Sequence, residues 1–340
     1  MATIFKTISS DNITSTRTLL HENVPVTGTI VSGSTYSDEN IKNYSHGMFQ
    51  SVYDYPYLSS SANHLFDLSC GYFTGSGANN ASNEQNSKKV NVYGQMAQVL
   101  VGHDATGSVR PFDRDGDLSS GDKINEAYFV NVSRLLSKDE FKKDTFRLTL
   151  GKGTYADPDS TEVIVGDYGA AESYRTNSPA GEYAVLYTSS AEPNSESGVG
   201  LLYYQAGVCV LTASVFGAST QMDSGFQTPE QILTGSTIQA NANAVRHRFS
   251  NLNFNNTIEL NSTIYFCQAG ANEFNYSSNP TYLTGSKIRV KDVSQDSPSA
   301  YITSVGLYSA DNELLATAKV SEPLKKDPSS TLTLRVRLDY

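Results

Sequence analysis

The closing stretch of the chain constrains its fold more than any other segment. In Thr331-Leu332-Thr333-Leu334-Arg335-Val336-Arg337-Leu338, apolar and polar residues alternate without a break. A period of two places Leu332, Leu334, Val336 and Leu338 on one side of a strand and Arg335 and Arg337 on the other. A helix would scatter the same residues around its axis, so this segment is expected to be a strand with one covered face. The region before it reads the same way. Residues 300–308 and 314–320 flank Ser309-Ala310-Asp311-Asn312 and form an expected hairpin. Residues 146–150 alternate, residues 127–132 and 163–165 are short β-prone runs, and 263–267 and 287–290 add two more. Residues 183–187 and 201–215 are longer apolar runs, the second broken at Gln205-Ala206-Gly207, and suit strands buried in a sheet core.

Composition supports a β-rich reading. The 340 residues include 21 Tyr and 14 Phe but no Trp, with abundant Ser, Thr, Asn and Gly. Tyr, Phe and Thr fit a pleated surface, while Gly and Asn supply turn geometry. The expected fold class is therefore mainly β with a few short helices, around an antiparallel, sandwich-like core. The clearest helix is predicted over 88–102, where Val92, Tyr93, Met96, Val99 and Leu100 share a face. A second begins at Thr228-Pro229-Glu230-Gln231, an N-cap followed by proline in the first turn, and is expected to run towards His247. Residues 60–70, with Leu65, Phe66 and Leu68 before Gly71, read as a short helix, and a helical turn is expected after a cap at Ser137 with Glu140 as capping-box partner.

Two regions follow from the polarity profile. Residues 1–45 are polar and turn-rich, with β-prone pieces such as residues 24–31 but no sustained apolar face. They read either as an extended N-terminal arm that orders on another surface or as a strand pair of the main domain. Residues 46–340 form the expected β-rich body, closed by the hairpin and final strand.

A net charge of −10 opposes phosphate backbones, so no nucleic-acid partner is expected. The short basic spots Arg246-His247-Arg248, Lys142-Lys143 and Lys325-Lys326 read as solvated polar faces. No apolar run approaches the ~20 residues that span a bilayer, and no secretory signal opens the chain, so no membrane partner is expected and synthesis is placed in a cytoplasm. Cys70, Cys209 and Cys267 are odd in number and far apart, which suits free thiols rather than a disulfide framework.

One constellation carries metal chemistry. Asp113-Arg114-Asp115-Gly116-Asp117, followed by Asp122, spaces acidic oxygens at alternate positions, as a flexible Ca²⁺ loop requires. Counted from Asp113, the glycine comes too early for the helix-loop-helix calcium pattern, and Ile124 stands where a bidentate Glu should be. A solvated acidic turn is the competing reading. No other cofactor is implied. Catalytic residues are not expected either: Gly-x-Ser-x-Gly and a phosphate loop are both absent, and the histidines His21, His46, His64, His103 and His247 lack ligand spacing.

The closing segment also carries a family likeness. It runs Ile302-Thr303-Ser304-Val305-Gly306-Leu307-Tyr308, then Glu313-Leu314-Leu315-Ala316-Thr317-Ala318-Lys319-Val320, then Glu322-Pro323-Leu324-Lys325-Lys326, and ends Arg335-Val336-Arg337-Leu338-Asp339-Tyr340. With Gln95-Met96-Ala97-Gln98-Val99-Leu100, Tyr128-Phe129-Val130-Asn131-Val132-Ser133-Arg134 and Tyr203-Tyr204-Gln205-Ala206-Gly207-Val208, it resembles virion structural proteins of contractile-tailed bacteriophages of cyanobacteria and other marine hosts. The likeness runs in patches from Gln95 to Tyr340. It implies a non-enzymatic virion component made in the host cytoplasm, with other virion structural proteins and further copies of itself as partners. A tail or baseplate component or adaptor is the expected role. The alternatives are a neck or capsid-associated protein, or a receptor- or glycan-binding module at the tail.

Overall fold

The computed structural model describes residues 5–26, 38–73, 84–119, 121–188, 198–225, 227–277, 279, 282–285, 287–288, 291, 293 and 295–340. The chain divides into two compact units, one of residues 19–258 and one of residues 1–18 with 259–340. The division falls inside strands β1 (Ile13–Val26) and β15 (Phe249–Ala269). The fold is mainly β and antiparallel with a sandwich-like core, as the alternating and apolar runs predicted.

The larger unit holds an eight-stranded sheet. Along it lie β11 (Arg175–Ser178), β12 (Gly181–Leu186), β13 (Gly200–Tyr203), β14 (Val208–Thr212), β7 (Glu126–Val132), β4 (His64–Tyr72), β3 (Gln50–Tyr53) and β2 (Ile41–Asn43). The broken run at 201–215 is the β13–β14 hairpin, and every residue of both strands is buried because the sheet is covered on both faces. A second sheet is built on β15, which pairs with β9 (Arg147–Gly151) and β8 (Glu140–Phe141), while β9 also pairs with β10 (Glu162–Gly166). The part of β1 from Leu19 onward belongs to this unit too, and β1 neighbours β15. Residues 13–26 of the N-terminal region therefore lie on the chain's own β15, and Ile41–Asn43 extend the other sheet.

Helices cover the middle of the eight-stranded sheet. Helix α1 (Glu84–Leu100) packs where β4 carries Gly71, at which an added Cβ would sit 2.5 Å from the Lys89 carbonyl oxygen and 2.9 Å from the Tyr93 nitrogen. Close approach of helix and strand requires glycine there, which is its role in place of the predicted helix stop. Beneath α1, the rings of Tyr93, Phe112, Phe129 and Tyr203 lie 5.2–6.5 Å apart in tilted and edge-on pairs. Such pairs add ~0.5–1.5 kcal/mol each beyond their buried area. The opposite face meets α5 (Ile238–Arg246), where Gln50 Nε2 donates to Asn243 Oδ1 at 2.8 Å and Phe66 stacks on Phe249 at 5.2 Å.

Several expectations are corrected. Residues 60–70 form no helix; most of them belong to β4, because Phe66, Leu68, Cys70 and Tyr72 alternate with Asp67, Ser69 and Gly71 between strands β3 and β7. The helical turn near Ser137 precedes it: α2 (Arg134–Ser137) follows Ser133, and Glu140 lies in β8. The helix starting at Thr228 has the predicted N-cap and proline, and Gln231 adds a capping box, but α4 (Pro229–Gly235) stops at Ser236, and Thr237 caps α5 as a separate helix. Residues 27–31 and 289–290 of two expected strands lie outside the described residues.

The smaller unit contains β20 (Leu332–Asp339), paired with β15 over Ser262–Ala269 in the register Tyr265↔Val336, and the hairpin of β18 (Ala300–Tyr308) with β19 (Leu314–Lys326). A short pair, β16 (Leu283–Thr284) and β17 (Lys287–Ile288), completes it. In β20 the predicted facing holds: Val336 is buried, Leu332, Leu334 and Leu338 are half-buried, and Arg335 and Arg337 are exposed.

Candidate functional site

The acidic constellation forms a loop between two short strands. Strands β5 (Phe112–Asp113) and β6 (Lys123–Ile124) pair, and the buried Phe112 and Ile124 anchor the loop in the core below α1. Tyr93 fixes both: its hydroxyl donates to the Ile124 carbonyl at 2.6 Å and accepts the Phe112 N–H at 2.9 Å. The loop is tied down from the other side by β11 and β12. Asn177 Nδ2 and the Tyr183 hydroxyl both donate to the Gly116 carbonyl, at 3.1 and 2.8 Å, and Arg114 Nε donates to the Gly198 carbonyl at 2.9 Å.

Three of the four predicted acids come together. Asp113, Asp115 and Asp117 each offer a carboxylate oxygen within 4.8 Å of the others. Asp122 does not join them. Its side chain is 84% exposed and lies 3.9 Å from Arg114 NH1, because the hairpin pairs the Arg114 N–H with the Asp122 carbonyl. Asp113 is fully buried; its Oδ2 accepts the Leu118 N–H at 2.7 Å and pairs with Lys123 Nζ at 3.0 Å. Among the described residues its Oδ1 has no hydrogen-bond partner. Burial pushes the Asp113 carboxyl up, and Lys123 pulls it down in part. The exposed Asp117 carboxyl is held below its ordinary range, first by the Ser119 N–H. The sequence did not single out Lys123, whose ammonium reaches Asp113 only across the β5–β6 pairing.

A second polar group was not legible in the sequence. The Asp167 side chain is fully buried and accepts from the N–H groups of Asp144 and Phe146, from Arg147 NH1 and from the Tyr204 hydroxyl, at 2.7–2.9 Å. Burial pushes its carboxyl up to about 6, and the four donors work against that rise. With all four directed at one carboxylate, the group acts as a clamp between the turn at 142–147 and the end of β13.

The basic spots are corrected as well. Arg246 and Arg248 are buried, not solvated, and Arg248 NH1 donates to the carbonyls of Gly151 and Gly153 at 3.0 and 3.1 Å. Lys326 is likewise buried and donates to Ala271 O, Asn275 Oδ1 and Asp327 O. Cys70 and Cys209 are buried, Cys267 is half-buried, and all three are free thiols; burial pushes Cys70 up to about 12, which keeps it un-ionised.

Among the histidines, His64 Nε2 lies 2.9 Å from Asp67 Oδ1, and the Ser51 hydroxyl donates to that same oxygen at 2.5 Å. Serine and histidine thus share one acceptor, and the serine proton is held by a carboxylate rather than handed to the imidazole, unlike a nucleophile and base. His247 Nε2 lies 3.0 Å from the Tyr155 carbonyl and His21 Nδ1 3.1 Å from Thr257 Oγ1, both structural contacts.

Large apolar side chains are exposed in both units: Leu58, Leu135 and Val99 in the larger one, and a set in the smaller. Leu314 and Leu315 are 53% and 68% exposed, Tyr301 is 52% and Tyr340 is 74%. Among the described residues, no helix is long and apolar enough to cross a membrane. No family model, curated protein or solved structure matches the chain.

Proposed function

We propose that this chain is a non-enzymatic structural subunit of a tailed-phage particle, a tail or baseplate component or adaptor held by protein–protein contacts. The supporting observation is the smaller unit. Among the described residues it contributes none to the hydrophobic core cluster, whose members lie between Val26 and Phe254, yet it displays Tyr301, Leu314, Leu315 and Tyr340 to solvent. A hairpin and a short sheet gain little stability alone, and exposed aliphatic and tyrosine side chains of this kind gain it by packing on another protein. Tyr-rich, charge-poor surfaces are the type enriched in the cores of protein–protein interfaces. The resemblance at residues 302–340 supplies the virion context. Other virion proteins and further copies of the chain are the proposed partners, and the virion is the proposed location.

A receptor- or glycan-binding role at the tail is favoured by one observation. Tyr55 and Tyr57 are 52% and 39% exposed, and Tyr57 lies beside Tyr53, which in turn packs on His64. Exposed tyrosine rings can stack on sugar faces. Gold-labelled antibody on intact particles tests the main reading. Regular labelling at the tail end supports an adaptor, labelling at the neck or head moves the protein to another layer, and unlabelled particles overturn the virion role.

A further inference from the structure

The acidic loop has features that a solvated turn does not need. Asp113 is placed with no exposed side-chain surface, and one of its carboxylate oxygens, Oδ1, has no hydrogen-bond partner among the described residues. The Asp117 carboxyl lies within hydrogen-bonding reach of Asp113, and Asp115 completes the group. Carboxylate oxygens only accept, so the buried Asp113 carboxylate and the exposed Asp117 carboxylate beside it repel unless a proton or a cation lies between. Lys123 compensates Asp113 through Oδ2 and leaves Oδ1 unmatched.

We propose that Asp113, Asp115 and Asp117 form a binding site for a hard divalent cation of the calcium type, with Asp113 Oδ1 as its buried ligand. The donor set is all carboxylate oxygen, which selects Ca²⁺ or Mg²⁺ over the softer metals that favour imidazole or thiolate. Three carboxylates on a loop, with water completing the shell, suit the larger and more permissive Ca²⁺ shell better than the strict octahedron of Mg²⁺. Asp122 takes no part, as its carboxylate is turned to Arg114. The Lys123 ammonium beside Asp113 opposes the incoming ion, so affinity falls in the range of on the order of 10⁻⁴–10⁻³ M found for modest calcium sites. The site adds a loop-stiffening ion to the fold and stands independently of the proposed virion role.

Terbium, a calcium mimic excited through nearby tyrosine, gives the test on the full chain. Tyr183 is placed to sensitise it, since its hydroxyl donates to the carbonyl of Gly116 within the loop. Tyrosine-excited terbium emission should rise to saturation and be displaced by Ca²⁺. Asp117→Asn should weaken it at least tenfold; this carboxylate is exposed, so the variant keeps its fold, checked by circular dichroism. Lys123→Met should tighten binding several-fold by removing the competing charge. Emission that fails to saturate, resists Ca²⁺, or is unchanged in Asp117→Asn overturns the site.

Discussion

The two units of the chain reach order by different means. Residues 19–258 enclose one continuous hydrophobic cluster, with sheet faces covered by α1 on one side and by α5 and Phe249 on the other. The described residues of 1–18 and 259–340 add no member to that cluster, and their few buried residues, such as Ala300, Leu307, Val336 and Lys326, are scattered along strands whose other positions are exposed or half-buried. Strand pairing and polar ties hold this second unit: the Lys6–Glu273 and Arg17–Glu259 ion pairs, the Phe5–Tyr308 ring contact at 4.6 Å, and the three acceptors around Lys326. Exposed ion pairs add little, with a typical worth of ~0–1 kcal/mol. One sequence thus builds one unit around a buried apolar cluster and another held by strand pairing and polar ties.

The comparison breaks first in the core. Phe129→Ala removes a ring in contact with Tyr93 and Phe112 and should cost ~3–5 kcal/mol, read as a lower denaturation midpoint. A loss under ~1 kcal/mol would mean that the larger unit is no better packed than the smaller one.

The next effect is the Asp167 clamp, and its sign can be worked out. The folded carboxyl titrates near 6 because burial disfavours its charge, against an ordinary value of about 3.9 in the unfolded chain. Folded protein therefore binds more protons between these values, and its stability falls as pH rises from about 4 to 6. The contribution is about 2–3 kcal/mol, and Asp167→Asn should remove it from the stability–pH profile. A profile unchanged by the substitution would show the four donors holding the carboxylate ionised throughout.

The smallest effect on folding belongs to the smaller unit. Leu314→Ser with Leu315→Ser should shift unfolding by no more than ~0.5 kcal/mol, since both side chains are largely exposed. The same pair should weaken self-association in sedimentation or incorporation into particles. Unaltered assembly would remove this face from the proposed interface.

Much of the fold was legible. The period of two in residues 331–338, the turn at Ser309–Asn312 and the cap at Thr228 each depend on neighbours a few residues away, and each is found as expected. His64–Tyr72 was misread because Leu65, Phe66 and Leu68 suit either structure, and its strand state is set by β3 and β7. Of the acidic site, the alternation of Asp113, Asp115 and Asp117 was visible, while the burial of Asp113 and its pairing with Lys123 were not.

By itself the sequence determined where strands and caps begin, because periodicity and capping are local and are written into adjacent residues. Only the tertiary structure decided which charges go inside. Arg248, Lys326 and Asp167 are buried because backbone groups and side chains distant in the chain, from Gly151 to Ala271 to Tyr204, converge on them. Such partners offset the cost of taking a charge out of water, and no local pattern encodes them.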